Sequence, residues 1–301
     1  MMKNTARKTL GLNAMLVSLT VGKPQMTKTD VRATGIAQTA LHAKKDAGHF
    51  RKDLYPKHLM QPIKSVETAA RSYMSTVAYK WDRGHNLLPN ARFMVFAEEM
   101  AKFELQFEQC TTAFLQNWVN VLSHAEDTQG DMFDAGDYPD VSELRRRFRF
   151  VVDYKPVTDF ADFRIKLRDE EEALLKQAVS NQMTEKVDNL MREPLERLHE
   201  VVSRLHQTAG KEERAVLNPR TGKTEVKPPI FRDTVCENII HEINLLADFA
   251  DIMPSGIVEL AATTAAKIPS ADILRNSQAV REKTVENTTG LLSAIDALLG
   301  A

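Results

Sequence analysis

The chain has 301 residues, of which 43% are hydrophobic and 27% are charged, and its formal net charge is −1. A chain of this length can bury a large core, in one elongated domain or in two compact ones. Twelve glycines and twelve prolines argue against a loop-rich or all-β protein, and no apolar run is long enough for a transmembrane helix.

The nearly neutral net charge hides three charged blocks. Residues 1–60 contain eleven Lys and Arg against three acids, and residues 98–143 contain eleven acids against one Lys. Residues 144–168 contain eight Lys and Arg against three acids. Such blocks indicate either charge pairing within the chain or a basic surface for nucleic acid. We favour charge pairing.

Residues 1–24 are predicted to form a basic arm followed by a strand. The stretch Leu16–Val21 is apolar and rich in β-branched residues, and Gly22-Lys23-Pro24 ends it. Basic residues followed by an apolar stretch also suggest a signal peptide. However, polar residues interrupt the stretch and no good cleavage site follows it. We therefore expect a cytoplasmic protein.

Residues 25–208 are predicted to form a body of long helices. One helix is expected after Pro62, a loop at 84–89, and then a helix of about 34 residues, about 50 Å long, from Ala91 to His124. An apolar stripe with heptad-like steps of three and four residues supports this long helix, with one extra residue near Trp118. We expect the stripe to pack on helices at 168–206 and 231–252, with self-association as the alternative. The stripe consists of Phe93, Phe96, Met100, Phe103, Phe107, Cys110, Phe114, Trp118 and Val121.

A small sheet is predicted at one end of this body. Residues 148–154 alternate between apolar and other side chains, which is typical of a half-buried strand, and a second short strand is expected at 160–165. With the strand at 16–21 they form the sheet. The acidic loop at 126–140 does not match the ligand spacing of a calcium-binding loop. A helix at 168–206 contains Pro194, which should kink or divide it.

The last third of the chain is predicted to contain a basic connector and a helical end. The connector covers residues 209–230, and the C-terminal helices at 231–301 are expected to pack on the body. Thr221–Thr224 contains part of a phosphate-binding loop, but Leu217 stands where that motif needs a glycine. We therefore interpret it as a basic loop.

No catalytic or metal-binding motif is present. Cys110 and Cys236 lie on apolar helical faces and are predicted to be free thiols in a reducing compartment. His199 and His206 are seven residues apart, which is typical of a partly exposed helix face rather than a metal site. We therefore predict a protein that is not an enzyme and that uses no cofactor or metal.

Two basic clusters are candidate contacts for nucleic acid or for a protein partner. In the first cluster, four arginines flank the aromatic Phe148, a pattern that suits phosphate contacts and base stacking. The alternative is that some of these arginines pair with the acidic segment just before them, Asp131 to Glu143, and we favour this alternative. The clusters consist of Arg145, Arg146, Arg147 and Arg149, and of Lys211, Arg214, Arg220, Lys223 and Lys227 in the connector.

Several segments, in this order, resemble an uncharacterised family of tailed-phage and proteobacterial proteins. In that family the gene often lies beside genes for a MoxR-type AAA+ ATPase and a von Willebrand A-type protein. The resemblance implies a helical accessory or adaptor protein that works with a remodelling ATPase. It also makes the loop with Trp81, Arg83, Gly84 and Pro89 the first candidate site. The segments are Met15–Lys23, Lys44-Lys45, Trp81–Pro89, the Phe-rich helix, Phe148–Pro156 and Phe231–Asn238.

The sequence thus predicts a mainly α protein, an elongated helical bundle or coiled coil with a small β-sheet at one end. The expected function is that of a non-enzymatic, phage-type adaptor acting through protein–protein contacts, with self-association as one such contact. The alternative is a nucleic-acid-binding protein that uses the N-terminal and 145–149 basic patches. A helical membrane-inserting protein is a further alternative, disfavoured by the weak hydrophobicity of residues 12–21 and 148–165.

Overall fold

The computed structural model describes residues 13–157, 169–217, 224–250, 253 and 256–300. The chain divides into two compact units. Unit 1 consists of Met1–Leu16, Ala78–Ala91 and Pro156–Ala301, and unit 2 consists of Val17–Val77 and Arg92–Lys155. The boundaries of these two units differ from the boundaries of the segments predicted from the sequence.

The structure is 67% helical and has a small antiparallel sheet, so the predicted mainly α class is confirmed. The strands in the described residues are β1 (Ala14–Gly22), β2 (Thr27–Thr29), β3 (Arg51–Asp53), β4 (Tyr79–Lys80), β5 (Asn86–Pro89), β6 (Arg149–Pro156), β7 (Arg214–Leu217) and β8 (Thr224–Lys227). The helices are α1 (Val31–Ala40), α2 (Lys57–Val77), α3 (Phe93–Gln116), α4 (Trp118–Gln129), α5 (Val141–Arg147), α6 (Asp169–Ala209), α7 (Asp233–Ala247), α8 (Ile257–Ala265), α9 (Ala271–Asn276) and α10 (Gln278–Leu299).

The main sheet has the strand order β4-β5-β1-β6, and β2-β3 and β7-β8 form separate two-stranded sheets. The strands predicted at 16–21 and 148–154 are present as β1 and β6. A Cβ on Gly22, at the end of β1, would lie 2.9 Å from the Arg147 carbonyl oxygen. Glycine therefore permits the close approach of the chain to the start of β6. The strand predicted at 160–165 lies outside the described residues.

In unit 2, α3 packs on α2. The inner face of α3 buries Phe96, Met100, Phe107 and Phe114, and that stripe was the basis for predicting a long helix. The helix that packs on the stripe is therefore α2. The expected packing of the stripe on helices at 168–206 and 231–252 is wrong. Those two regions form α6 and α7, which pack on each other.

The long helix predicted from Ala91 to His124 is two helices. They meet at Asn117, whose backbone N–H donates to the carbonyl oxygens of both Ala113 and Phe114. The break coincides with the extra residue in the heptad pattern, because a four-residue step rotates the apolar stripe away from its previous direction. The start predicted for α2 is also wrong, since α2 begins at Lys57 and carries Pro62 inside it.

The core of unit 2 is a chain of aromatic contacts. Tyr55 packs edge-on against Phe114, with ring centroids 5.8 Å apart, and Phe114 packs against Phe148 at 5.7 Å. Phe107 contacts Phe150 of β6 at 5.5 Å. Such ring pairs add to the stabilisation that burial of the rings provides. The aromatic stripe thus joins α3 to the β6 strand and to the segment before α2.

The core of unit 1 is mainly aliphatic. Along α6, Leu195, Leu198, Val202 and Leu205 are buried in one cluster with residues of α7 and α10. Pro194 does not divide α6, which runs unbroken from Asp169 to Ala209. The α6–α10 pair is the most extensive helix contact of the unit.

A row of polar pairs accompanies the α6–α10 contact. His199 Nε2 lies 3.0 Å from Asp296 Oδ1, and His206 Nδ1 lies 2.9 Å from Thr288 Oγ1. Just beyond the end of α6, the Glu213 carboxylate accepts from the guanidinium of Arg281, which also donates to the Leu274 carbonyl oxygen. His199 and His206 are seven residues apart on α6, so their two pairs are separated by about two helical turns.

Candidate interaction surfaces

A buried ion cluster joins the basic and acidic blocks of unit 2. Lys52 of β3 is directly opposite Lys28 of β2 in the strand register, an arrangement of like charges that destabilises a sheet. Both ammonium groups donate to the carboxylate of Asp137. Lys52 Nζ lies 2.7 Å from Asp137 Oδ2, and their side chains are 5% and 2% exposed. Lys52 also donates to the Met132 carbonyl oxygen.

The electrostatics of Asp137 follow from this geometry. Burial of its carboxyl acts to raise the pKa, but hydrogen bonds from Lys28 and Lys52 outweigh it and lower the pKa below its ordinary value. The charge pairing predicted within the chain therefore occurs between these lysines and Asp137. Because the buried Lys52 donates to both Asp137 and the Met132 carbonyl oxygen, the cluster fixes the 130–140 segment on β2 and β3. The charged blocks of the sequence predicted ion pairing within the chain, but they did not identify the residues that form the ion pairs.

A surface cavity of about 650 Å³ lies beside this cluster, between β3 and the C-terminal half of α4. Gln129 lines it and donates from Nε2 to the Asp53 carbonyl oxygen at 2.8 Å and to the Tyr138 hydroxyl at 2.7 Å. Burial raises the pKa of Tyr55, another lining residue, to about 12. The Lys52 ammonium and the Gln129 side-chain N–H groups thus bond within the protein. Sequence inspection did not reveal this cavity, because its walls come from segments about 70 residues apart.

The arginine cluster lies at the end of α5. Asp140 caps the start of this helix by accepting from the backbone N–H groups of Ser142 and Glu143. Arg145, Arg146 and Arg147 occupy the last turn and are exposed. Positive side chains at this end of a helix are favoured by the helix dipole.

Two of the four arginines form ion pairs. Arg147 pairs with Glu143, one turn earlier on α5, and Arg145 Nη2 lies 3.8 Å from Glu108 Oε1 of α3. The expected pairing with the acidic loop thus holds only for Arg147. Phe148, which suggested base stacking, is 8% exposed and packs on Phe114, so it is not available to a nucleotide.

The family resemblance made the loop with Trp81, Arg83, Gly84 and Pro89 the first candidate site. This loop is a β-hairpin turn in unit 1 and not a turn between helices. It joins β4 to β5, and the Asp82 carboxylate accepts from the N–H groups of Gly84 and His85 and contacts the His85 ring. Burial acts to raise the pKa of Asp82, but these hydrogen bonds lower it to about 2. Trp81 and Pro89 are buried and hold the hairpin, whereas Arg83 and Gly84 are exposed at its tip.

The basic connector contains a second hairpin. Strands β7 and β8 are antiparallel, with Arg214 and Lys227 opposite each other in the register. Lys211 and Arg214 are exposed. Arg220 and Lys223 lie outside the described residues.

Helix α1 is the most exposed helix of unit 2. Of its ten residues only Thr34 is buried, and Thr34 anchors the helix by accepting from the Phe50 N–H. Val31, Ile36 and Leu41 are 82%, 61% and 76% exposed. Val31 and Ile36 are five residues apart, which corresponds to about 140° of rotation, so their side chains point to different sides of α1, and Leu41 directly follows the helix.

The remaining predicted features are as follows. Both cysteines are free, and Cys236 is buried. Among the described residues no cluster of His, Cys, Asp and Glu could hold a metal ion. The helices that the structure describes include none with the length and apolarity needed to cross a membrane.

Comparison of the chain with protein-family models, curated proteins and solved structures gives no match. The resemblance to a phage and proteobacterial family stays a prediction from the sequence.

Proposed function

We propose that the protein is a non-enzymatic adaptor that acts through protein–protein contacts, and that α1 is its main contact surface. The exposure of α1 is the observation that supports this proposal. α1 has ten residues and buries only Thr34, so tertiary packing adds little to a helix that is too short to be stable by itself in water. Large apolar side chains such as Val31 and Ile36 are more typical of buried helix positions than of exposed ones. A partner that covers α1 would supply the missing burial.

The charges around α1 indicate what kind of surface such a partner presents. Arg32, Lys44, Lys45 and Arg51 are exposed around α1, whereas Asp46 is the single exposed acid between residues 31 and 51. A groove that is apolar at its centre and acidic at its rim would match this segment. By the resemblance, the first partner to test is a MoxR-type AAA+ ATPase. The elongated shape expected of the helical body remains part of the proposal.

Affinity capture with full-length tagged protein tests the proposal. We compare the wild type with the double variant Ile36→Asp/Leu41→Asp, and with Val119→Asp as a control of similar exposure (74%) on α4. We expect at least one protein to be retained by the wild type and the control but lost by the double variant. Its purified form should then bind the full chain directly. Identical captured sets for all three proteins would contradict the role of α1.

A second candidate function is nucleic-acid binding at the end of α5. The observation in its favour is that Arg145, Arg146 and Arg149 are all exposed within five residues of chain. Affinity for DNA or RNA should then fall steeply with salt concentration. Charge reversal of Arg145, Arg146 and Arg147 should abolish the binding. Binding that survives this change would exclude the arginine cluster as the site.

A further inference from the structure

Within the described residues, β6 is the edge strand of the main sheet. It is the last strand in the order β4-β5-β1-β6, so in the described part of the chain one of its two edges pairs with no strand. The strand is eight residues long. An edge of this length presents a row of unpaired backbone N–H and C=O groups, which is a template for pairing with another strand.

The two faces of β6 differ. Phe150 and Tyr154 lie on the inner face and contact rings of α3, with Tyr154 5.4 Å from Phe93. Side chains alternate along a strand, so Arg149, Val151 and Asp153 share the other face, and all three are exposed. Neither Arg149 nor Asp153 forms an ion pair within the described residues. This face therefore carries a positive, an apolar and a negative side chain in succession.

We propose that β6 pairs in antiparallel orientation with β6 of a second copy of the chain, centred on Val151. In this register Arg149 of each copy lies opposite Asp153 of the other, and the two Val151 side chains meet at the two-fold axis. Each of the two opposite-charge pairs favours the contact. The contact is isologous and closes as a dimer, because the same surface is used by both copies.

Neighbouring registers fit the charges less well. Centring the pair on Val152 places Arg149 opposite Lys155, which brings two positive charges together at each end of the contact. Centring it on Phe150 places Arg149 opposite Val151, which removes both ion pairs. The charge pattern of the exposed face therefore selects the Val151 register.

This inference does not rest on the proposed adaptor function. It uses β6 rather than α1, and its partner is the chain itself. Loss of the α1 partner in the capture experiment would leave the dimer intact, and loss of the dimer would leave α1 unchanged.

Sedimentation of the full-length protein tests the inference. The wild type should be dimeric at about 100 μM and dissociate on dilution. The single variants Arg149→Asp and Asp153→Arg each create two like-charge contacts in the dimer, so the dissociation constant should rise at least about tenfold. The double variant Arg149→Asp/Asp153→Arg restores opposite charges and should restore the dimer. Arg146→Asp is the control, since it makes the same charge change outside β6.

Two results would overturn the inference. One is a wild type that stays monomeric at about 100 μM. The other is a dimer whose dissociation constant is unaffected by the single variants or is not restored by the double variant. Because Arg149 and Asp153 are exposed, the variants should retain the wild-type circular dichroism spectrum, which separates loss of pairing from loss of folding.

Discussion

The two units stabilise their cores in different ways. All ring pairs in the described residues lie in unit 2 except one, between Tyr79 and Phe249 of unit 1. Unit 2 consists of short elements around α2 and α3, and large rings let a few side chains connect several of them. Unit 1 is built on α6 and α10, whose length lets many Leu, Ile and Val side chains share the burial.

The polar contacts of the two units differ in the same way. In unit 2, ion pairs between Asp137 and two lysines connect the 130–140 segment to the β2-β3 sheet at a single place. In unit 1, polar pairs recur along two helices. The comparison teaches that unit 2 concentrates its stability in a few residues, whereas unit 1 distributes it. The following predictions test that difference.

The largest effect is expected for Phe114→Ala in unit 2. Its ring is 3% exposed and contacts the rings of Tyr55, Trp118 and Phe148. Removing it should lower the free energy of unfolding by about 3–5 kcal/mol, measured by urea denaturation. A loss below about 1 kcal/mol would show that unit 2 does not depend on its aromatic chain.

The next effect is expected for Lys52→Met. It leaves the buried Asp137 with one lysine instead of two, and unfolding free energy should fall by about 3 kcal/mol. Lys28→Met is the matched control, because Lys28 binds the same carboxylate from a side chain that is 52% exposed. The control should lose clearly less stability than Lys52→Met, because solvent screens an exposed charge. Equal losses for both variants would contradict the importance of burial here.

A smaller effect is expected for Thr288→Val in unit 1. The Thr288 hydroxyl donates to the Thr284 carbonyl oxygen, so it accepts from His206 Nδ1. Valine keeps the shape but leaves the histidine N–H without its partner, which should cost about 1–2 kcal/mol of unfolding free energy. Thr289→Val, one residue further on the exposed side of α10, should change it by almost nothing. A loss in the control equal to that of Thr288→Val would exclude this explanation.

The smallest effect is a pH dependence at Asp82. Its pKa is lowered from 3.8 to about 2 in the folded protein, so its stabilising contribution is present above pH 4 and is lost as the pH falls towards 2. The side chain is 35% exposed, and screening keeps the effect below about 1 kcal/mol. Asp82→Asn should flatten this part of the unfolding free energy curve. An unchanged slope between pH 4 and pH 2 would contradict it.

Periodicity predicted the local elements of the fold well. The alternation around Phe150 and the apolar run before Gly22 predicted β6 and β1, and the irregular step near Trp118 marked the break at Asn117. Periodicity could not identify what a stripe packs against, because α2, α6 and α7 all offer apolar faces of similar width. Nor could it predict β4 and β5, which are too short to show a pattern.

The candidate surfaces were harder to predict. The complementary charge of residues 1–60 and 98–143 predicted pairing, but Lys52 and Asp137 become partners only when β3 and the 130–140 segment meet in space. The arginine cluster was visible in the sequence, whereas the burial of Phe148 beside it was not. The exposure of α1 left no sequence signal, since its Val, Ile and Ala residues are equally typical of a buried helix.

The polar pairs between α6 and α10 also limit how the two helices can change in evolution. His199 pairs with Asp296, and His206 pairs with Thr288. Residue numbers therefore rise along α6 while those of the partners fall along α10. Inserting seven residues into α6 between His199 and His206 would separate the two residues of one pair, whereas the two residues of the other pair would stay in contact. A matching heptad in α10 would restore both. The lengths of these two helices are therefore coupled, and relatives of this chain should lengthen or shorten them together.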